Sequence, residues 1–145
     1  MEPRIHVITL AVEDLDRALA FYRDGLGLES AGVIGTEHPG DDDNAAGAVV
    51  MFELAGGLIL ALYPRSELAK DAGIDPASAV SGSFSIGQIV SGRGDVDAVL
   101  AATVAAGATI TEAPRERPCG IYSGYFRDPD GHLWEIIWNP SFGSN

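Results

Sequence analysis

Near the end of the chain one carboxylate interrupts an apolar run: Glu135, in DPDGHLWEIIW (residues 128–138). A lone charge buried at such a place costs on the order of several kcal/mol unless it is paired, hydrogen-bonded, neutralised or bound to a metal. Three roles satisfy that demand. Glu135 can ligate a metal, abstract a proton next to a carbonyl as a general base, or accept hydrogen bonds from the backbone or a tyrosine hydroxyl. Tyr122 and Tyr125 precede it and are the nearest aromatic hydroxyls. Cys119, the sole cysteine, has no histidine beside it in sequence to activate it. His38 lies beside Pro39 and Gly40 in an acidic stretch, Asp41 to Asp43, and reads as solvated with it.

The elements that must position Glu135 follow from periodicity. Alternation along 132–138 puts Leu133, Glu135 and Ile137 on one face, and Trp134 and Trp138 on the other, under a helix. DPDG before it is a tight turn: Pro129 presets φ, Asp128 bonds its own turn, and Gly131 accepts positive φ. Far upstream, residues 6–12 read as a strand with Ile8, Leu10 and Val12 on one face and Val7, Thr9 and Ala11 on the other. Asp14 is an N-cap for an amphipathic helix through Leu15, Ala18, Leu19 and Tyr22, ended by Gly25 and Gly27. Strands at about 29–35, 48–54 and 57–63 complete a β-α-β-β-β module.

The pattern then restarts. Residues 84–91 read as a strand and Asp95 as a cap. Val96, Val99, Leu100, Thr103 and Val104 form a helix face that closes at Gly107, and strands follow at about 108–112, 120–127 and 132–138. Asp14 and Asp95 are 81 residues apart, and this offset maps Val7 onto Gln88. FELAGGLILALY (52–63) echoes FRDPDGHLWEIIW (126–138). The fold class is α+β: module one at about 5–63, a linker at 64–83 whose residues 66–72 can form a helical turn or two, and module two at about 84–138.

Composition narrows the partners. The chain has 145 residues, 46% apolar and 21% charged, about one globular domain's worth. A net charge of −12 argues against nucleic acid, which requires clustered Lys and Arg, and against anionic membrane surfaces. No apolar run approaches the roughly 20 residues of a membrane span. The N-terminal residues meet acids before any uninterrupted apolar stretch, unlike a secretory signal. With one cysteine there is no intrachain disulfide, and a cytoplasmic location is expected.

VEDLDRALAFYRDGLGL (12–28) and YSGYFRDPDGHLWEI (122–136) resemble the two hallmark segments of the vicinal oxygen chelate superfamily, the glyoxalase, bleomycin resistance protein and extradiol dioxygenase group. The resemblance covers nearly the whole chain. It implies two β-α-β-β-β modules whose sheets curl into a cup, with helices outside and a ligand site within, and commonly a homodimer. It also implies that metal-using relatives draw ligands from the first and last strand of each module. Here those positions hold Val7, Leu60 or Ala61, Gln88 and Glu135. Only Gln88 and Glu135 carry donor atoms, so they read as remnants of a metal site. His6, one residue from Val7, points to the opposite face, and His132 belongs to the turn. No cofactor is expected; a divalent metal, and with it metal-dependent glyoxalase or dioxygenase chemistry, is the weaker alternative.

The cup is then expected to be an apolar pocket with a few polar points. Val7, Thr9, Gln88, Tyr122, Tyr125 and Glu135 are the ligand-binding candidates, and Glu135 is the catalytic candidate. The expected function is binding of a small organic molecule without metal, in the manner of bleomycin resistance proteins. The alternative is a metal-independent lyase or isomerase with Glu135 as general base.

Overall fold

A computed structural model of the chain describes residues 1–78 and 84–141. Each half of the sequence builds one four-stranded mixed sheet. In the first, β1 (Val7–Val12), β2 (Val33–Ile34), β3 (Val49–Glu53) and β4 (Ile59–Pro64) are ordered β1-β4-β3-β2. In the second, β5 (Ile86–Ile89), β6 (Thr109–Glu116), β7 (Tyr122–Arg127) and β8 (Leu133–Trp138) are ordered β5-β8-β7-β6. In both, the first strand runs parallel to the last and the other pairs are antiparallel. The repeated β-α-β-β-β module is therefore present twice. The chain divides into two compact units near residue 80, inside the segment expected to join the modules.

In the first unit, Asp14 caps α1 (Leu15–Leu19) as its residue type predicts, accepting the Arg17 N–H at 3.1 Å. The helix continues as a π turn, Ala20–Gly25, in which Leu26 N–H reaches back to the Phe21 carbonyl. Buried Ala18, Leu19, Phe21 and Tyr22 lie along this segment, and the Tyr22 ring meets Phe52 of β3. Val50, Phe52, Leu60, Leu62, Leu10 and Val12, all at most 1% exposed, form the helix-side core. Leu60 points into that core, and Ala61 shares the opposite face with Thr9, its neighbour in register. The strand expected over 29–35 shrinks to Val33–Ile34. Gly32 and Gly35 flank it at φ +90° and +78°, and a Cβ at Gly35 would strike the Gly47 carbonyl.

The acidic stretch after β2 is more ordered than a simply solvated loop. Asp41 accepts the N–H groups of Asp43 and Asn44, and Lys70 of α2 (Arg65–Ala72) donates to its carbonyl at 2.8 Å. Glu67 accepts the Ala46 N–H at 2.9 Å, and that bond holds its carboxyl below the usual range. Tyr63 donates to the Ala46 carbonyl.

In the second unit, α3 (Arg93–Ala105) buries Val96, Leu100 and Thr103 against the sheet. Gly124 of β7 lies under Leu100 of the helix. A Cβ there would lie 2.6 Å from Leu100 Cδ1. The N-cap of α3 is Gly92, not Asp95. Asp95 falls in the first turn, where a carboxylate meets the positive end of the helix dipole.

That change of cap moves the register of the repeat. In the first unit Phe52 pairs with Leu60, and Leu60 with Ile8. In the second, Phe126 pairs with Trp134, and Trp134 with Ile86. Ile8 thus corresponds to Ile86 and Asp14 to Gly92, both 78 residues apart rather than 81. The difference of three is odd, so every β5 side chain lies on the face opposite to the expected one. Gln88 corresponds to Leu10, not to Val7.

Candidate functional site: the Glu135 face of the second sheet

The turn that sets Glu135 in place is the one its sequence predicts. Gly131 N–H returns to the Asp128 carbonyl at 2.9 Å, and Asp128 N–H donates to the His132 carbonyl at 2.9 Å. Asp128, 4% exposed, accepts the N–H groups of Asp130 and His132 on Oδ1. Gly131 has φ +88°. From this turn β8 runs antiparallel to β7, with Ser123 opposite Ile137, Tyr125 opposite Glu135 and Arg127 opposite Leu133. These six residues share the face turned away from α3. The other face carries Tyr122, Gly124, Phe126, Trp134, Ile136 and Trp138 toward α3.

Glu135 is half-buried and held by hydroxyls. Ser123 Oγ donates to its Oε2 at 2.8 Å, and the Tyr125 hydroxyl also bonds it. Arg117 donates from Nε to Ser123 Oγ at 2.6 Å and from Nη2 to the Ser123 carbonyl at 3.4 Å. Its guanidinium also lies over the Tyr125 ring, 5.3 Å from the centroid. Burial raises the Tyr125 phenol above its ordinary value, with Glu135 adding to the rise and Arg117 opposing it. Ser123 is fully buried, whereas Arg117, Tyr125 and Glu135 reach the surface. The arrangement is a cation and a carboxylate one hydroxyl apart, backed by an aromatic ring.

Tyr125 and Glu135 are therefore brought together, and two other candidates are not. Gly87, not Gln88, stands beside Glu135 in register, and Gln88 stands beside Ile136 on the α3 side, exposed on the edge strand. The shifted cap is the reason. Tyr122 also lies on the α3 side, because it is an odd number of residues from Tyr125. Its hydroxyl donates to Asp97 at 2.7 Å, and Arg93 lies over both its ring and Trp138. Trp134 stacks on Phe126, so both tryptophans serve the helix side as expected. Val7, 48% exposed, and Thr9 lie in the first unit on the sheet face away from α1. His6 and His38 are exposed, and His132 closes the turn. Cys119 is exposed at φ +67° in a turn just after Arg117.

Arg117 and Ser123 carry the site without having been singled out in the sequence. Ser123 had a signal: it lies two residues before Tyr125 and so shares its face. Arg117 had less. Strand β6 runs on to Glu116 through two register shifts, one between Ile110 and Glu112 and one between Glu112 and Arg115, beyond the end expected from its apolar residues. A hairpin then returns the chain, with Arg117 N–H bonding the Ile121 carbonyl at 2.7 Å.

A family model, that of the glyoxalase/bleomycin resistance protein/dioxygenase superfamily, matches residues 4–136. The chain belongs to this superfamily. Among solved structures, a glyoxalase-related enzyme from Fulvimarina pelagi is 29% identical over 96% of this chain and 90% of its own, with a TM-score of 0.76. Lactoylglutathione lyase from Agrobacterium tumefaciens is 27% identical over 100% of both chains, with a TM-score of 0.68. A glyoxalase/bleomycin resistance protein/dioxygenase from Nocardioides shares the fold at 23% identity over 99% of this chain and 88% of its own, with a TM-score of 0.71.

The positions at which the resemblance implies ligands do not fit a metal. Val7 and Ala61 have no donor atoms. Gln88 corresponds to Leu10 rather than to Val7 and lies on the sheet face away from Glu135, so it brings no second donor to that carboxylate. Among the described residues no three His, Cys, Asp or Glu side chains converge as a metal site. No helix of the described chain is long and apolar enough to cross a membrane.

Proposed function

We propose that this superfamily member binds a small organic molecule against the Glu135 face of its second sheet, without a metal ion. One observation carries the reading: Glu135 is held by protein hydroxyls at the position where the resemblance implies a metal ligand, yet it stays half-exposed. Burial of a carboxylate is tolerated when hydrogen bonds replace water. A carboxylate so held keeps lone pairs for a ligand's donor groups, but by itself it offers a metal ion one side chain where a site needs several. A homodimer, on the resemblance, and a cytoplasmic location, on the single cysteine, belong to the same proposal. The test is a fragment screen by two-dimensional NMR on chelator-treated protein, repeated with Glu135→Gln. Saturable shifts on β7 and β8 that weaken in the variant support the reading. Shifts confined to other elements, or binding that needs one equivalent of metal, defeat it.

A second reading has its own support. The Tyr125 hydroxyl and the Arg117 guanidinium stand beside Glu135, so a base and groups suited to an oxyanion lie together. A lyase or isomerase acting next to a carbonyl would use them in those roles. Turnover that persists in chelator and is lost in Glu135→Gln distinguishes this enzyme from a binder.

A further inference from the structure

Arg117 is half used. Its Nε and Nη2 bond Ser123, and one face of its guanidinium covers the Tyr125 ring. The Nη1 N–H pair has no partner among the described residues. Glu135 is also half used. A carboxylate offers about four lone-pair positions, and the Ser123 and Tyr125 hydroxyls occupy two of them. A donor fork and a carboxylate, each with capacity left, thus stand on one face with a single serine hydroxyl between them. Arg117 cannot simply collapse onto Glu135, because Ser123 holds its Nε and Tyr125 supports its plane.

We propose that this face takes a small zwitterion of the α-amino acid class, its carboxylate on Nη1 of Arg117 and its ammonium on Glu135. The inference rests on the reading that a small molecule binds this face, and adds the chemistry of that molecule. A ligand of both signs matches both residual groups, whereas a plain cation leaves Arg117 unanswered and a plain anion meets Glu135. The chain's net charge of −12 favours cations in general. Arg117 is the feature that makes the site ask for more than a cation.

Four molecules with the same ring test it on the full chain by NMR titration: phenylglycine carries both charges, phenylacetate the anion, benzylamine the cation and benzyl alcohol neither. Phenylglycine should shift the resonances of Arg117, Tyr125 and Glu135 saturably and bind about tenfold more tightly than the other three, as one added charge-assisted hydrogen bond allows. Arg117→Gln should bring phenylglycine down to the affinity of benzylamine, and Arg117→Lys should keep part of the difference. If Arg117→Gln does not fold, the four molecules on the unaltered chain decide alone. Benzylamine or phenylacetate binding as tightly as phenylglycine overturns the proposal. Benzyl alcohol occupying the face while phenylglycine does not overturns it but leaves the small-molecule reading standing. No shift at the face from any of the four, or from the fragment screen, removes both.

Discussion

The Ser123 hydroxyl donates to Glu135 Oε2 at 2.8 Å while accepting the Arg117 Nε–H at 2.6 Å. A guanidinium can only donate, so the one serine proton is directed at Glu135. Ser123→Ala therefore leaves a half-buried Arg117 N–H without its acceptor and takes a donor from the carboxylate. Stability should fall by about 1–3 kcal/mol, read by chemical denaturation. The double variant with Glu135→Gln should lose less than the two single losses together, because the pair shares one bond. Additive losses would show that the bond contributes nothing.

Tyr125 gives the site a signature at high pH. Burial, then the hydrogen bond and charge of Glu135, raise its phenol above the ordinary 10.0. A raised folded value means the folded chain holds that proton more tightly than the unfolded chain. The group's contribution to stability is then fully present below about pH 10, and is lost as pH rises through the folded value. Subtracting the ultraviolet titration of Tyr125→Phe from that of the unaltered chain isolates this phenol from Tyr63 and Tyr122, which are also raised. Glu135→Gln should move the difference curve toward lower pH. A curve indifferent to that substitution would detach Tyr125 from Glu135.

The turn before Glu135 rests on conformation more than on contact. Nothing lies within 4 Å of a Cβ built on Gly131, so a side chain there has room. Its φ of +88° is the obstacle. Gly131→Val should cost about 1 kcal/mol or more through that angle alone, measured as a lower melting temperature. An unchanged melting curve would mean that the turn relaxes freely.

How much of this was legible depended on whether local chemistry had a competitor. The DPDG turn, the Asp14 cap and the two-fold module repeat were readable because each element's own residues dictate it. Tyr122 and Tyr125 were both candidates beside Glu135 and could not be told apart until the pairing of β7 with β8 set Tyr125 opposite Glu135. Gln88 was not, since Asp95 is the better capping side chain by type, yet the helix starts at Gly92 and Asp95 takes a first-turn place instead. Asp95 lies three residues beyond Gly92, and that displacement reversed a whole strand. Arg117 was hidden by Pro114 and by the bulged continuation of β6, which no apolar alternation marks. Leu60 and Ala61 could not be separated until the register with β1 placed Ala61 beside Thr9.

The reversed face also says where metal affinity could be built. Gly87 stands beside Glu135 across the parallel β5–β8 pair, and Gln88 stands beside Ile136 on the far side. A histidine at position 87 would project onto the carboxylate's face; one at position 88 would not. The backbone at Gly87 does not have the positive φ that would strain a side chain, and the tightest contact of an added Cβ is 3.3 Å from Ile137 Cδ1, the mobile end of a side chain. Two donors on one face bind a divalent ion weakly but measurably when imidazole is one of them. Gly87→His should therefore bind Zn²⁺ more tightly than either the unaltered chain or Gln88→His, and Glu135→Gln in the same background should reduce that gain. Calorimetric titration of the four proteins with zinc gives the order directly. Tighter binding by Gln88→His than by Gly87→His would restore the 81-residue correspondence and return Gln88 to the face of Glu135.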